Sequence, residues 1–135
     1  MPNINYQDIL KESIWITTTI YYEARGETPE GQKAVVKVIL NRSNKSKQTA
    51  KDTVLKPKQF SCYNSGYPRI EEVKTFLSLN PTVMEAIDEW FKGDTLGGAT
   101  HYYAIKAMVG NKPPYWASSM KYVADIGGHR FLKEI

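Results

Sequence analysis

A chain of 135 residues with a net charge of +4 has the length and balance of one globular domain, spanning 1–135, long enough to bury a real core without staples. Its single cysteine, Cys62, excludes an internal disulfide and a structural cysteine–zinc site. Two histidines with no paired-ligand spacing complete that exclusion, so no metal and no cofactor is expected.

No apolar run approaches the roughly 20 residues needed to span a membrane, and 1–11 is polar with no signal-peptide core. The chain is therefore expected to be made in the cytoplasm, with no signal peptide and no membrane insertion, and to act as a monomer. The charge is uneven. Arg42, Lys45, Lys47, Lys51, Lys56 and Lys58 face Asp52 alone, while six acids between Glu71 and Asp94 face two lysines. A basic stretch of this kind attracts anionic polymers or simply solvates a loop.

The apolar spacing of Ile9, Leu10, Ile14, Thr17 and Ile20/Tyr21 predicts a first helix over Asp8 to Ala24, stopped by Gly26. Thr28 followed by Pro29 predicts a fresh helix start, a capping hydroxyl and then a proline whose missing N–H costs nothing. This second helix runs to about Arg42. It buries Ala34, Val35, Val38 and Ile39, with Val36 and Leu40 widening the face, which makes it the central helix of the core.

The polar, basic stretch from Asn41 to Asp52 reads as a surface loop, Thr53 to Leu55 as a short turn, and Pro57 to Pro68 as an ordered loop. Glu71 to Leu79 reads as a short helix. Asn80-Pro81 reads as the start of another, with Met84, Ile87 and Phe91 buried and Gly93 as its end. Thr100 to Ala104, Lys121 to Asp125 and His129 to Leu132 change to strand composition, with Gly127-Gly128 as a hairpin signal. The expected architecture is α+β, a mainly helical body with a small antiparallel β-sheet towards the C-terminus.

Chemistry concentrates in Ile20 to Glu27, I-Y-Y-E-A-R-G-E. Glu23 sits among aromatic and small residues at a helix end, a setting that holds a proton above the ordinary carboxylate range. Arg25 is two residues away and points elsewhere. Glu27, one turn on, is expected on the same face, where its charge would raise Glu23 further. The two approach from one side and cannot flank a scissile bond as a hydrolase pair does, so Glu27 is given a supporting role. His101, beside Tyr102 and Tyr103, reads as a strand histidine at a cleft rim, and Cys62 as a packed thiol.

The segments "IYYEARGETPEGQKAVVKVILNR", "FSCYN", "GGATHYYA", a late Trp116 and "IGGHRF" occur in an order that resembles the cell-wall hydrolase family of the spore-cortex-lytic enzymes and related phage endolysins. The resemblance implies a lysozyme-like catalytic domain that cleaves the peptidoglycan glycan strand between N-acetylmuramic acid and N-acetylglucosamine, with Glu23 catalytic. Peptidoglycan, not nucleic acid, is then the partner. One carboxyl suffices for a lytic transglycosylase, in which the muramyl C6 hydroxyl takes the place of water; that outcome is favoured over a hydrolytic muramidase. By position, Ser61, Tyr63, Asn64, His101, Tyr102, Tyr103 and Trp116 are expected to line the substrate groove. Spore members of the family carry an export signal and an extra wall-binding module. Their expected absence here suggests a phage lysis enzyme, held in the host cytoplasm until a holin releases it to the wall, or else an excised domain. A rival reading from the basic stretch is a non-catalytic module that binds anionic wall polymer.

Overall fold

In the computed structural model, residues 2–56, 59–64, 66, 69–108, 110 and 112–135 are described. Five α-helices, α1 (Tyr6–Lys11), α2 (Ser13–Ala24), α3 (Pro29–Ser46), α4 (Ala50–Leu55) and α5 (Val73–Phe91), precede a sheet of β1 (His101–Ala104), β2 (Met120–Ile126) and β3 (His129–Glu134). The strand order is β1-β3-β2 and both pairings are antiparallel. The predicted α+β layout is the observed one.

The centre of the body is α3. Thr28 caps it as expected, its Oγ1 accepting the Gly31 N–H at 3.1 Å with Pro29 in the first turn. Ala34, Val35, Val36, Val38, Ile39 and Leu40 are all buried, the five larger ones each contributing on the order of 1.5–3 kcal/mol if fully withdrawn from water. α2, α4 and α5 pack around this helix. Its lysines Lys33 and Lys37 are also buried, and each finds carboxylates: Lys33 Nζ lies 2.6 Å from Glu85 and 2.8 Å from Glu89, and Lys37 Nζ 2.9 Å from Glu89 and 2.8 Å from Asp94. Much of the acidic excess in the sequence is thus the counter-charge to α3.

Several local expectations are corrected. The first helix is broken at Glu12, whose carboxylate accepts the Ala50 and Lys51 N–H groups and so caps α4. The break resets the helical phase: Ile14 is 59% exposed, and Ile16 takes its place in the core. Gly26 does not end α2 through a left-handed turn. The buried Gln32 amide braces that end, its Nε2 lying 3.1–3.3 Å from the carbonyls of Ala24, Arg25 and Glu27.

The basic stretch after Asn41 is not a loop. α3 continues to Ser46 because Asn41 is buried and fully bonded: Oδ1 accepts Trp90 Nε1–H at 2.8 Å, and Nδ2 donates to Thr95 and Ala99 carbonyls at 2.9 and 2.7 Å. Thr53 to Leu55 belongs to α4. Finally, Asn80-Pro81 starts no helix; Pro81 lies inside a continuous α5. An internal proline costs about 3 kcal/mol or more in isolation. Here Pro81 is on the exposed side, buried Leu79 and Val83 bracket it, and Asn80 Nδ2 donates to Thr17 Oγ1 at 3.1 Å. The buried stripe is Val83, Ala86, Ile87 and Trp90; Met84 and Phe91 are only half-buried. The expected ordered loop at 57–68 falls partly outside the described residues; within it, Ser61–Tyr63 forms a 3₁₀ turn.

Candidate active site

Glu23 is on the last turn of α2. Thr19, one turn earlier on the same face, is buried, and its hydroxyl lies 2.8 Å from the Tyr63 hydroxyl. Tyr63 also donates to the Trp15 carbonyl at 3.3 Å, which ties the Ser61–Tyr63 turn to α2. The Glu23 side chain is thereby half-buried against that turn.

Burial raises its pKa above the ordinary glutamate value, and the Cys62 backbone N–H directed at the carboxylate opposes the rise. The neighbouring groups register the same charge. Burial first, then Glu23, pushes the Cys62 thiol up to about 11. The Tyr63 hydroxyl is pushed up to about 12, chiefly by burial. Tyr102, half-buried on β1, is raised by burial and then by Glu23. Glu23 thus has Cys62, Tyr63 and Tyr102 as electrostatic neighbours, each holding its own proton more tightly than usual. Arg25 leaves it alone, stacking 4.7 Å over the Tyr21 ring.

Glu27 does not act on Glu23 as expected. Its Oε1 accepts the Gly128 N–H at 2.8 Å, inside the β2–β3 turn. His129 Nδ1 lies 3.0 Å from the same oxygen but off the line of a hydrogen bond, and is buried with no hydrogen-bond partner among the described residues. The helix ends between the two glutamates, so the one-turn spacing that would align them no longer applies. Burial, not a like charge, raises Glu23.

The expected groove residues separate into two groups. Tyr63 and Tyr102 face Glu23, with Ser61 and Asn64 exposed on the same 3₁₀ segment. His101 and Tyr103 alternate with Tyr102 along β1 and so lie on the other side of the sheet. There they pack on Trp116, ring centroids 5.5 and 6.0 Å apart, while Tyr102 packs on His129 and Phe131. Trp116 is therefore neither lid nor floor to Glu23. Thr19, the Cys62 backbone and Gln32 were missed. Thr19 was within reach of sequence reasoning, since it precedes Glu23 by four residues; the other two depend on the tertiary path of the chain.

The chain belongs to the cell wall hydrolase family, whose model matches residues 26–132. The match begins three positions beyond Glu23. The chain is 30% identical over 120 residues to the spore cortex-lytic enzyme of Oceanobacillus iheyensis, covering 87% of this chain and 40% of that protein. It is 28% identical over 124 residues to the spore cortex-lytic enzyme of Bacillus cereus, covering 87% and 42%. It thus spans about two fifths of the length of the curated relatives it matches.

Among solved structures, the catalytic domain of the Bacillus cereus SleB protein superposes with a TM-score of 0.75 at 26% identity, over 97% of this chain and 96% of that one. The catalytic domain of the germination-specific lytic transglycosylase SleB from Bacillus anthracis gives 0.64 at 26% identity, over 91% and 95%. The fold is the lysozyme-like one of these domains. These relatives are spore enzymes and lend nothing to the phage-lysis setting.

Proposed function

We propose that this chain cleaves the peptidoglycan glycan strand at the bond from N-acetylmuramic acid to N-acetylglucosamine, as a lytic transglycosylase with Glu23 as its acid and base. The observation that carries this reading is the half-buried Glu23 carboxyl, whose proton affinity burial raises, with Glu27 turned away into the hairpin. The Bacillus anthracis relative described as a lytic transglycosylase supports it from outside the chain.

The chemistry needs one carboxyl. Glu23 donates its proton to the glycosidic oxygen as the muramyl C1–O bond breaks, freeing the C4 hydroxyl of the glucosamine. The muramyl C6 hydroxyl then bonds to C1 and returns its proton to Glu23, leaving a 1,6-anhydro end and a regenerated acid. An attacking group already tethered to the sugar gains an effective molarity of about 10⁵ M or more. A hydrolase would instead require a second carboxylate about 5–5.5 or 6.5–9.5 Å away to act as nucleophile or to activate water. Glu27 is occupied by Gly128 and does not serve.

Mass spectrometry of fragments released from purified sacculi tests the reading. Anhydro ends are expected; reducing ends, heavier by one water, would make the enzyme a muramidase. Glu23→Gln is expected to lower fragment release by about 100-fold or more, and full activity in that variant would remove Glu23 from the mechanism. Binding to walls without any soluble fragment would leave the anionic-polymer module instead.

A further inference from the structure

Three successive threonines, Thr17, Thr18 and Thr19, turn their hydroxyls back onto the helix that carries Glu23. They donate to the carbonyls of Ser13, Ile14 and Trp15 at 2.9, 2.8 and 2.9 Å. Such a bond satisfies a helical threonine locally. Thr19 nevertheless has a second partner from far along the chain, the Tyr63 hydroxyl at 2.8 Å. The Thr19 proton is spent on Trp15, so Tyr63 is the donor. The Trp15 carbonyl also lies 3.3 Å from the Tyr63 hydroxyl, which closes a triangle of three oxygens. The Trp15 and Tyr63 rings pack together, centroids 6.4 Å apart.

This triangle lies one turn before Glu23 on the same face of α2, where residues four apart have Cβ atoms about 5–6 Å apart. The Ser61–Tyr63 turn has no side-chain cap among the described residues. Its own backbone bonds, Tyr63 N–H to the Phe60 carbonyl at 3.2 Å and Asn64 N–H to the Ser61 carbonyl at 3.1 Å, are local. Buried Phe60 anchors the start of the turn in the core, and the Tyr63 hydroxyl anchors its end to α2. Between these anchors is Cys62, whose N–H is directed at Glu23. With its proton directed at oxygens of α2, the Tyr63 hydroxyl holds the turn and does not serve the sugar.

Resting on the function proposed above, we propose that Tyr63 is a positioning residue for the acid. Through Thr19 and Trp15 its hydroxyl holds the Ser61–Tyr63 turn over the Glu23 end of α2, and so keeps the carboxyl half-buried in one orientation. The ionisable groups that face Glu23 are Cys62, Tyr63 and Tyr102, each holding its own proton more tightly than usual. Burial is the larger influence on Glu23 and the Cys62 N–H the smaller, opposing one. A loosened turn therefore releases the Glu23 proton at lower pH.

The test follows the Glu23 titration by carboxyl-carbon NMR of protein with isotope-labelled glutamate, the resonance being assigned by its loss in Glu23→Gln. The pH dependence of turbidity loss on purified sacculi is measured alongside. Thr19→Val and Tyr63→Phe each remove a hydroxyl and keep the shape. In both, the Glu23 midpoint is expected to fall by about half a pH unit or more, and the alkaline limb of the rate to fall with it. The rate at its optimum is expected to drop about 10-fold. Thr19→Ser keeps the hydroxyl and is expected to match the parent. Thr18→Val breaks only a local helix bond and is expected to leave the midpoint in place. A midpoint that stays or rises in either folded hydroxyl-deletion variant overturns the role. So does an equal fall in Thr19→Ser or Thr18→Val, which would mark a general loosening of α2. If one deletion variant does not fold, the other carries the test. Absence of fragments from the unmutated enzyme sinks the catalytic reading separately, since the midpoint is read without turnover.

Discussion

Glu27 and Gly128 are 101 residues apart in the chain, yet the carboxylate of one accepts the N–H of the other at 2.8 Å. This bond pins the β2–β3 turn to the loop between α2 and α3, the loop that follows Glu23. It also explains the glycines. Gly127 has φ 59°, and a Cβ there would meet Glu27 Oε1 at 2.9 Å; one at Gly128 would meet it at 3.4 Å.

Glu27→Ala is accordingly expected to destabilise the fold by about 1–3 kcal/mol, the range for losing a charge-assisted hydrogen bond. Gly127→Ala is expected to destabilise it similarly, through backbone strain and the clash. The alkaline limb of the pH–rate profile of Glu27→Gln is expected to stay where it is in the parent enzyme. A limb displaced to lower pH would restore the like-charge role.

Glu23 leaves a signature in stability as well as rate. Its folded pKa is above the unfolded value, so the folded state holds the proton more tightly. The stability from that proton is fully present below the unfolded pKa of about 4.3 and is lost as pH rises through the folded pKa. Glu23→Gln is expected to melt higher than the parent at pH 7, with the difference vanishing below about pH 4. Thermal scans at the two pH values decide it, and a variant that melts lower at pH 7 contradicts the burial argument.

Glu89 has the opposite sign. The Lys33 hydrogen bond first, then Lys37, holds its carboxyl below the usual range. Its contribution is present above the unfolded pKa and is lost as pH falls through the lower folded one. Denaturant titrations between about pH 5 and 2 are expected to show a shallower acid loss for Glu89→Gln than for the parent. Parallel losses would mean that another carboxylate drives acid unfolding.

Asn41 makes three buried or part-buried hydrogen bonds. Asn41→Ala strands the Trp90 indole N–H and two carbonyls, at about 1–3 kcal/mol for each group that stays dry. Urea unfolding is expected to show a total loss of about 3 kcal/mol or more, accompanied by a shift in Trp90 fluorescence. A loss below about 1 kcal/mol would mean that water replaces the amide.

Local rules served well where local physics decides. The Thr28-Pro29 start, the apolar stripe of α3 and the Gly127-Gly128 turn each follow from caps, burial and backbone freedom within a few residues. They failed where a distant partner outweighs propensity. Pro81 stays helical because Asn80 reaches Thr17 and the flanking Leu79 and Val83 are buried. Residues after Asn41 stay helical because that amide is bonded to the segment before β1 and to Trp90.

The candidate site divides in the same way. The sequence by itself determined that Glu23 ends an apolar helix turn beside aromatic residues and that a small sheet follows a helical body. Only the tertiary structure decided that Glu27 serves the hairpin, that Tyr102 and His101 part company across the sheet, and that Arg42 stands half-buried beside a cavity. Proton affinity and partner choice depend on which groups converge from distant parts of the chain, and spacing along one helix or strand carries no record of that convergence.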